Sequence, residues 1–376
     1  MAGLGSPTGS HALDLVLCET GLGSLMAPVG GGSPVSRGAT AGRREVGEAS
    51  AVRQDGSMTT PHVGVLLPRD LPAHLVLEHA RRAEALGFDE LWVVEDLGFR
   101  GGAAQAAAVL AATERIHVGI GILPAAARNV GFAAMDAATL ARLFPGRVTI
   151  GVGHGMPDWM RQVGAWPGRP LTFLEAYTRA LRALLRGETV TTAPDAPVVL
   201  DGVALDPSSL PEVVPDVILG VRGPKSLAAA GRVAEGVVLA EPCPPAYVRA
   251  AVEHVAAPTP PRVVTYDAAC VDDDEARALD VARHALAWIG EPDWAPHLAQ
   301  QPFAAELAAL RADSASPEEF ASRMPDAWVR ELSLAGSADQ VRERIAARGA
   351  AGATTCVLFP SGPDPLAALE QLARVL

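Results

Sequence analysis

From His62 onward, short apolar runs alternate with segments of helical period. The runs at 62–68, 88–95, 116–122, 148–152, 216–220, 236–241, 262–271 and 354–359 are rich in Val, Ile and Leu and predict eight strands. Most are apolar throughout instead of alternating with polar residues, as strands covered on both faces require. Between them the spacing predicts helices over 72–86, 102–113, 131–144, 171–186, 224–233, 245–255, 272–288 and 337–348, with 366–375 closing the chain. Pro72 and Pro224 stand at first-turn positions, where the missing N–H costs nothing, and Gly87 ends the first helix. Two excursions interrupt the rhythm. Residues 187–215 carry Pro, Asp and Gly around a short VVL run and predict a hairpin or ordered loop, and 291–328 reads as helical. Strand and helix repetition over this length predicts an α/β protein with a parallel sheet, and spacing alone admits an open sheet or a closed barrel.

Residues 1–57 are rich in Gly, Ser, Ala and Arg, and their one apolar cluster is too short to build a core. They are expected to be a disordered extension. Met58 precedes Thr-Thr-Pro and the first strand, so translation is expected to begin there, with 58–376 forming one domain. A net charge of -12 without a basic run argues against nucleic acid as a partner, because that binding needs clustered Lys and Arg. No apolar segment approaches the roughly 20 residues that span a bilayer, and no secretory leader is visible, so no membrane association and a cytoplasmic location are expected. Cys18, Cys243, Cys270 and Cys356 are isolated, with no metal-ligand or redox spacing, and are read as reduced.

In parallel α/β proteins the active site lies at the carboxyl ends of the strands. Those ends carry Glu95, Asp96, Arg128 and His154. A carboxylate there, desolvated beside an apolar ring, would hold a proton more tightly and suit acid or base work. The structural alternative is that Asp96 caps a loop and Glu95 pairs with an arginine. The run Gly151, Gly153, His154, Gly155 is not a dinucleotide fingerprint, since that motif belongs to the first strand-to-helix turn, here LLPRDLP. Pro224 at a helix start, with Arg222, Gly223 and Lys225 around it, is a candidate anion site. The nine histidines form no metal-ligand set with carboxylates.

The runs GFDELWVVEDLGFRGG, ERIHVGIGILPAAARN and AATLARLFPGRVTIGVGHGMPDWMRQVG resemble the luciferase-like flavin and deazaflavin oxidoreductases, most closely the branch typified by the F420-dependent methylenetetrahydromethanopterin reductases. RPLTFLEAYTRALRALLRGETV, ILGVRGPKSLAAAGRVAEGVVLAE and LAGSADQVRERIAARGAAGATTCVLF extend the likeness over most of the chain after His62. The resemblance implies a bacterial-luciferase-like (β/α)8 TIM barrel with insertions, usually a homodimer. It implies hydride transfer between coenzyme F420 and a small organic substrate. The alternatives are an FMN-dependent monooxygenase served by a flavin reductase and a non-catalytic flavin-binding barrel. It places a backbone bulge, often with a non-proline cis peptide, at Gly119, Gly121 and Ile122, behind the cofactor ring. It gives Glu95 the acid/base role and Asp96 a contact to cofactor or substrate, with Gly151, Gly153, His154 and Gly155 beside the ring and Arg222, Gly223, Pro224 and Lys225 around the phosphate. Arg128 matches a family arginine, but Asn129 and Val130 replace the His and Pro that commonly follow it. The substrate pocket is expected between the insertion after Gly187 and the excursion around Trp294.

Overall fold

The computed structural model describes residues 60–376. The expected disordered extension, the start at Met58 and Cys18 lie outside the described residues. Nine strands follow in chain order: β1 (His62–Leu66), β2 (Glu90–Val93), β3 (His117–Pro124), β4 (Val148–Gly153), β5 (Asp216–Gly220), β6 (Gly236–Leu239), β7 (Arg262–Val271), β8 (Leu334–Gly336) and β9 (Thr355–Pro360). All pair in parallel. Strands β1 to β6 are hydrogen-bonded in sequence, β6 pairs β7, β7 pairs β9 and β9 returns to β1. The sheet therefore closes, and the choice that spacing left open resolves to a (β/α)8 barrel. The ninth strand, β8, is outside this ring; it pairs only with the far end of the long β7. Its three residues are too few to show a period in sequence.

Alternation along each strand sorts side chains into two cores. Leu91, Val93, Val118, Ile120, Val148, Ile150 and Val152 face outward and pack under the helices. Leu66, Trp92, Ile218, Val238, Val264, Tyr266 and Val357 fill the barrel, with Val94, Ile122 and Phe359 partly buried above them. This is why the strands read as continuous apolar runs. At the amino end the filling turns polar. Buried Glu90 accepts hydrogen bonds from Trp92 Nε1 at 2.8 Å, Arg262 Nη2 at 2.8 Å and Thr355 Oγ1 at 2.9 Å. Arg262 Nη1 also donates to Thr149 Oγ1 at 2.6 Å.

Helices cover the barrel where the period places them, among them Val76–Leu86, Gly102–Ala112, Val130–Leu143, Pro170–Leu185, Pro224–Val233, Pro245–Val255 and Ala338–Ala350. The end positions move by a few residues, as helix termini do. Asn129 explains itself here: it caps Val130–Leu143, its side chain accepting from Gly131 N at 2.8 Å. The insertion after Gly187 is an ordered loop closed by one antiparallel bridge, Val190 to Val203. The second excursion is built from short helical turns around their own small core of Leu279, Leu286, Ile289, Phe320 and Leu332. No helix among the described residues is long and apolar enough to cross a membrane.

Candidate active site at the carboxyl end of the barrel

Strand β3 departs from regular pairing between Ile120 and Leu123, and the Gly121–Ile122 peptide bond is cis. Three glycines give the displaced Ile122 side chain its place. An added Cβ at Gly220 would stand 2.6 Å from Ile122 Cγ2, one at Gly153 would stand 3.1 Å from Ile122 Cδ1, and one at Gly151 would stand 3.1 Å from Ile122 Cγ2. Ile122 thus lies across the ends of β4 and β5 with part of its surface open, forming an apolar shelf at the barrel mouth.

Gly119 and Gly121 are occupied differently from the sequence expectation. A Cβ at Gly119 would meet the Trp92 indole at 2.3 Å, and one at Gly121 would meet the Tyr266 hydroxyl at 2.0 Å. Their missing side chains admit Trp92 and Tyr266, which meet edge to face at 5.8 Å, and not a ligand. Tyr266 donates from its hydroxyl to the Gly121 carbonyl at 3.3 Å, so the tyrosine supports the bulge from beneath. Sequence gave no sign of this role, since an aromatic inside an apolar strand has the look of core.

The acidic pair is engaged by arginines. Glu95 Oε1 accepts from Arg128 Nη1 at 2.9 Å, while Oε2 accepts from Arg128 Nη2 at 3.3 Å and from Gly102 N at 2.6 Å. Both oxygens have donors, and the side chain is 15% exposed, which favours the structural alternative over the acid/base role assigned from sequence. Glu95 ties the β2 exit to the first turn of Gly102–Ala112 and to the β3 loop. Asp96 accepts from Arg69 Nη1 at 2.7 Å, an exposed pair that joins the exits of β1 and β2. Such a contact is cheap to rearrange in water.

His154 stands half-buried at the β4 exit, its ring 6.4 Å from that of Trp166, and burial lowers its pKa, leaving a neutral imidazole. Gly155 adopts a positive φ of 71°, which the turn there requires. Arg222 is turned toward the second excursion: Nη1 donates to Asp293 O at 3.2 Å and the guanidinium lies 4.9 Å over Trp294. That places the excursion against the mouth, as expected, but takes Arg222 away from an anion role. Gly223 remains the N-cap of Pro224–Val233, with no side chain capping it, open space where a Cβ would be, and exposed Lys225 beside it. This helix start and the Ile122 shelf fit a cofactor with a flat ring and a phosphate tail.

Glu241 was not singled out from sequence, although it closes the run GVVLAE as Glu95 closes LWVVE. It follows β6, is half-buried, and enough protein surrounds it that desolvation pushes its pKa up to about 7. Its own N–H and Arg222 oppose that rise, and Asp267 and Asp96 add to it.

Residues 50–355 match the family model for luciferase-like monooxygenases. The chain belongs to this family. A 5,10-methylenetetrahydromethanopterin reductase from Methanolobus tindarius is 26% identical over 82% of this chain and 97% of its own length. An F420-dependent glucose-6-phosphate dehydrogenase from Beutenbergia cavernae is 36% identical over 46% of this chain and 52% of its own. Among solved structures, the coenzyme F420 dependent tetrahydromethanopterin reductase from Methanopyrus kandleri superposes with a TM-score of 0.71 at 21% identity, covering 84% of this chain and 98% of its own. This luciferase-like chain thus shares its barrel with that reductase over nearly the whole of the latter. Among the described residues no group of three or more His, Cys, Asp or Glu side chains is arranged to hold a metal ion.

Proposed function

We propose that this luciferase-like barrel is an oxidoreductase that moves hydride between coenzyme F420 and a small organic molecule. The apolar shelf of Ile122 over Gly153 and Gly220 carries the reading, because it offers an apolar support at the end of the barrel where this fold does chemistry. When bound, the deazaflavin supplies the hydride chemistry, and the protein supplies position and electrostatics. Ile122, Gly153 and Gly220 would back the ring, and the helix start at Gly223 and Lys225 would take the phosphate. The two near-full-length matches, in sequence to the Methanolobus enzyme and in fold to the Methanopyrus enzyme, support F420 over FMN. Asp96, once released by Arg69, would meet cofactor or substrate at the β2 exit. A homodimer and a cytoplasmic location complete the reading.

Parallel fluorescence titrations with F420 and with FMN test it. Saturable binding of F420, with FMN weaker by about tenfold or more, is the expected result, equivalent to about 1.4 kcal/mol of preference. Preference for reduced FMN would move the assignment to a monooxygenase fed by a flavin reductase, and binding of neither would leave a barrel without a flavin-type cofactor.

A further inference from the structure

Between the helix Glu275–Ala285 and the loop that follows β9 lies a solvent-facing hollow of about 330 Å³. Asp280, Val281, His284 and Ala285 line it from the helix, and Ser361 and Gly362 from the loop. A hollow of that size takes a small organic molecule. Helical period makes this face. Ala278, Leu279, Ala282 and Leu286 turn into the small core of the second excursion, which leaves Asp280 and His284, one turn apart, on the flank toward the loop. Ser361 joins the hollow to the carboxyl end of the barrel. Its N–H donates to the Ala269 carbonyl at 3.2 Å, and two residues before it the Phe359 ring meets that of Tyr266 at 5.2 Å.

The polar side chains of this hollow have lone pairs to offer and no hydrogen left to give. His284 Nδ1 lies 2.8 Å from the Asp280 carbonyl oxygen. A carbonyl can only accept, so Nδ1 carries the ring hydrogen, and Nε2 of the neutral imidazole presents a lone pair. The Ser361 hydroxyl spends its hydrogen on the Phe359 carbonyl at 3.3 Å, which leaves its oxygen as an acceptor. The Asp280 carboxylate accepts by nature. The two arginines nearest it on the helix are engaged elsewhere, Arg277 with Asp272 and Arg283 with Asp326, each at 2.5 Å. Among the described residues Asp280 is left without an ion pair.

We propose that this hollow is a binding site for a small organic ammonium ion. Asp280, His284 Nε2 and Ser361 Oγ would accept its N–H groups, and its hydrocarbon part would lie on Val281 and Ala285. Three side-chain acceptors answer the three hydrogens of a primary ammonium group. A carboxylate or phosphate of the same size meets the charge of Asp280 and no side-chain donor. An alcohol brings one hydrogen and no charge. Hydrogen bonds to an ionised group are roughly twice as strong as neutral ones, so this lining selects the cation. The site stands on its own geometry and does not need the hydride-transfer reading, although the loop of Ser361 and Phe359 gives an occupant a place beside the barrel mouth.

The test uses the full chain with benzylammonium, benzyl alcohol and benzoate, which share one ring and differ in charge. Saturation-transfer NMR reads the binding of each. Benzylammonium is expected to saturate at about millimolar concentration, with the alcohol and benzoate weaker by about tenfold or more. Asp280→Asn is expected to weaken benzylammonium about tenfold and bring it level with the alcohol. Ala285→Trp fills the hollow from an exposed helix position and is expected to abolish binding, with melting curves of both variants close to the wild type. Glu253→Gln, an exposed acid on Pro245–Val255, controls for general attraction to a chain of net charge -12. It should change binding by no more than about twofold. Benzoate or benzyl alcohol bound as tightly as benzylammonium would overturn the proposal, as would no saturation up to about 10 mM. Wild-type binding in Asp280→Asn and Ala285→Trp would overturn it too, and so would a loss in Glu253→Gln as large as that in Asp280→Asn.

Discussion

At the amino end of the barrel Glu90 accepts from a tryptophan, an arginine and a threonine, and Arg262 goes on to Thr149. At the carboxyl end Glu241 has, among the described residues, only its own N–H, and Ile122 lies half open across three glycines. The same strands build both ends, and β6 and β7 even place Glu241 and Arg262 on adjoining elements. What differs is completion. A buried carboxylate with every lone pair answered is part of the scaffold, since leaving it unanswered would cost several kcal/mol. A carboxyl group left unanswered at the other end is tolerable only because it can hold its proton.

The sharpest way to break this contrast is at the amino end. Arg262→Met should remove about 3–5 kcal/mol of stability, the usual result of taking one member from a buried ion pair. Glu90 would be left with Trp92 and Thr355 and no counter-charge. Urea denaturation measures the loss, and a parallel F420 titration should change by no more than about twofold so long as Trp92, which donates to Glu90 and meets Tyr266 edge to face, keeps its place. Weakened F420 binding in a variant of undiminished stability would show that the ends are not separate in function.

Much of this division is written in the sequence. The eight barrel strands and most helices are legible because burial on both faces leaves long apolar runs that nothing else explains. The acidic run end at 95 and 96 and the helix start at Gly223 are visible as residue types in unusual places, whereas the bulge at Gly119, Gly121 and Ile122 is implied only by the family resemblance. Partners are not visible. That Glu95 meets Arg128, and that Arg222 meets Trp294, depends on loops whose paths no period encodes. Gly119 and Gly121 invite a ligand in sequence, and only the positions of Trp92 and Tyr266 show what takes the space. Glu241 was legible in kind, as an acid closing an apolar run, but its lack of partners is a property of three dimensions.

At the carboxyl end the shelf can be attacked without touching a charge. A Cβ at Gly151 would stand 2.2 Å from the Ile120 carbonyl oxygen, a backbone atom that cannot swing aside. Gly151→Ala should therefore cost about 1–3 kcal/mol of stability as overpacking does, and F420 affinity should fall with it as β3 is pushed off register. Gly223→Ala is the matched control for stability, since a Cβ there meets nothing within 4 Å. Thermal melts and F420 titrations of both variants give the comparison, and equal melting shifts would remove the steric argument for the shelf.

The smallest expected effect tests the acid that sequence placed at the mouth. Glu95→Gln keeps one oxygen acceptor and loses the charge that faces Arg128, so it should cost about 1–2 kcal/mol, the worth of a charge-assisted hydrogen bond. Because Glu95 holds the first turn of Gly102–Ala112 and the β3 loop, turnover should drop only modestly through loosened geometry. The pH profile decides. If Glu95 is an anchor, its Gln variant keeps the wild-type profile, merely at lower height. If a limb of the wild-type profile disappears in Glu95→Gln, the arginine pairing must open during turnover, and the sequence assignment of Glu95 is the correct one.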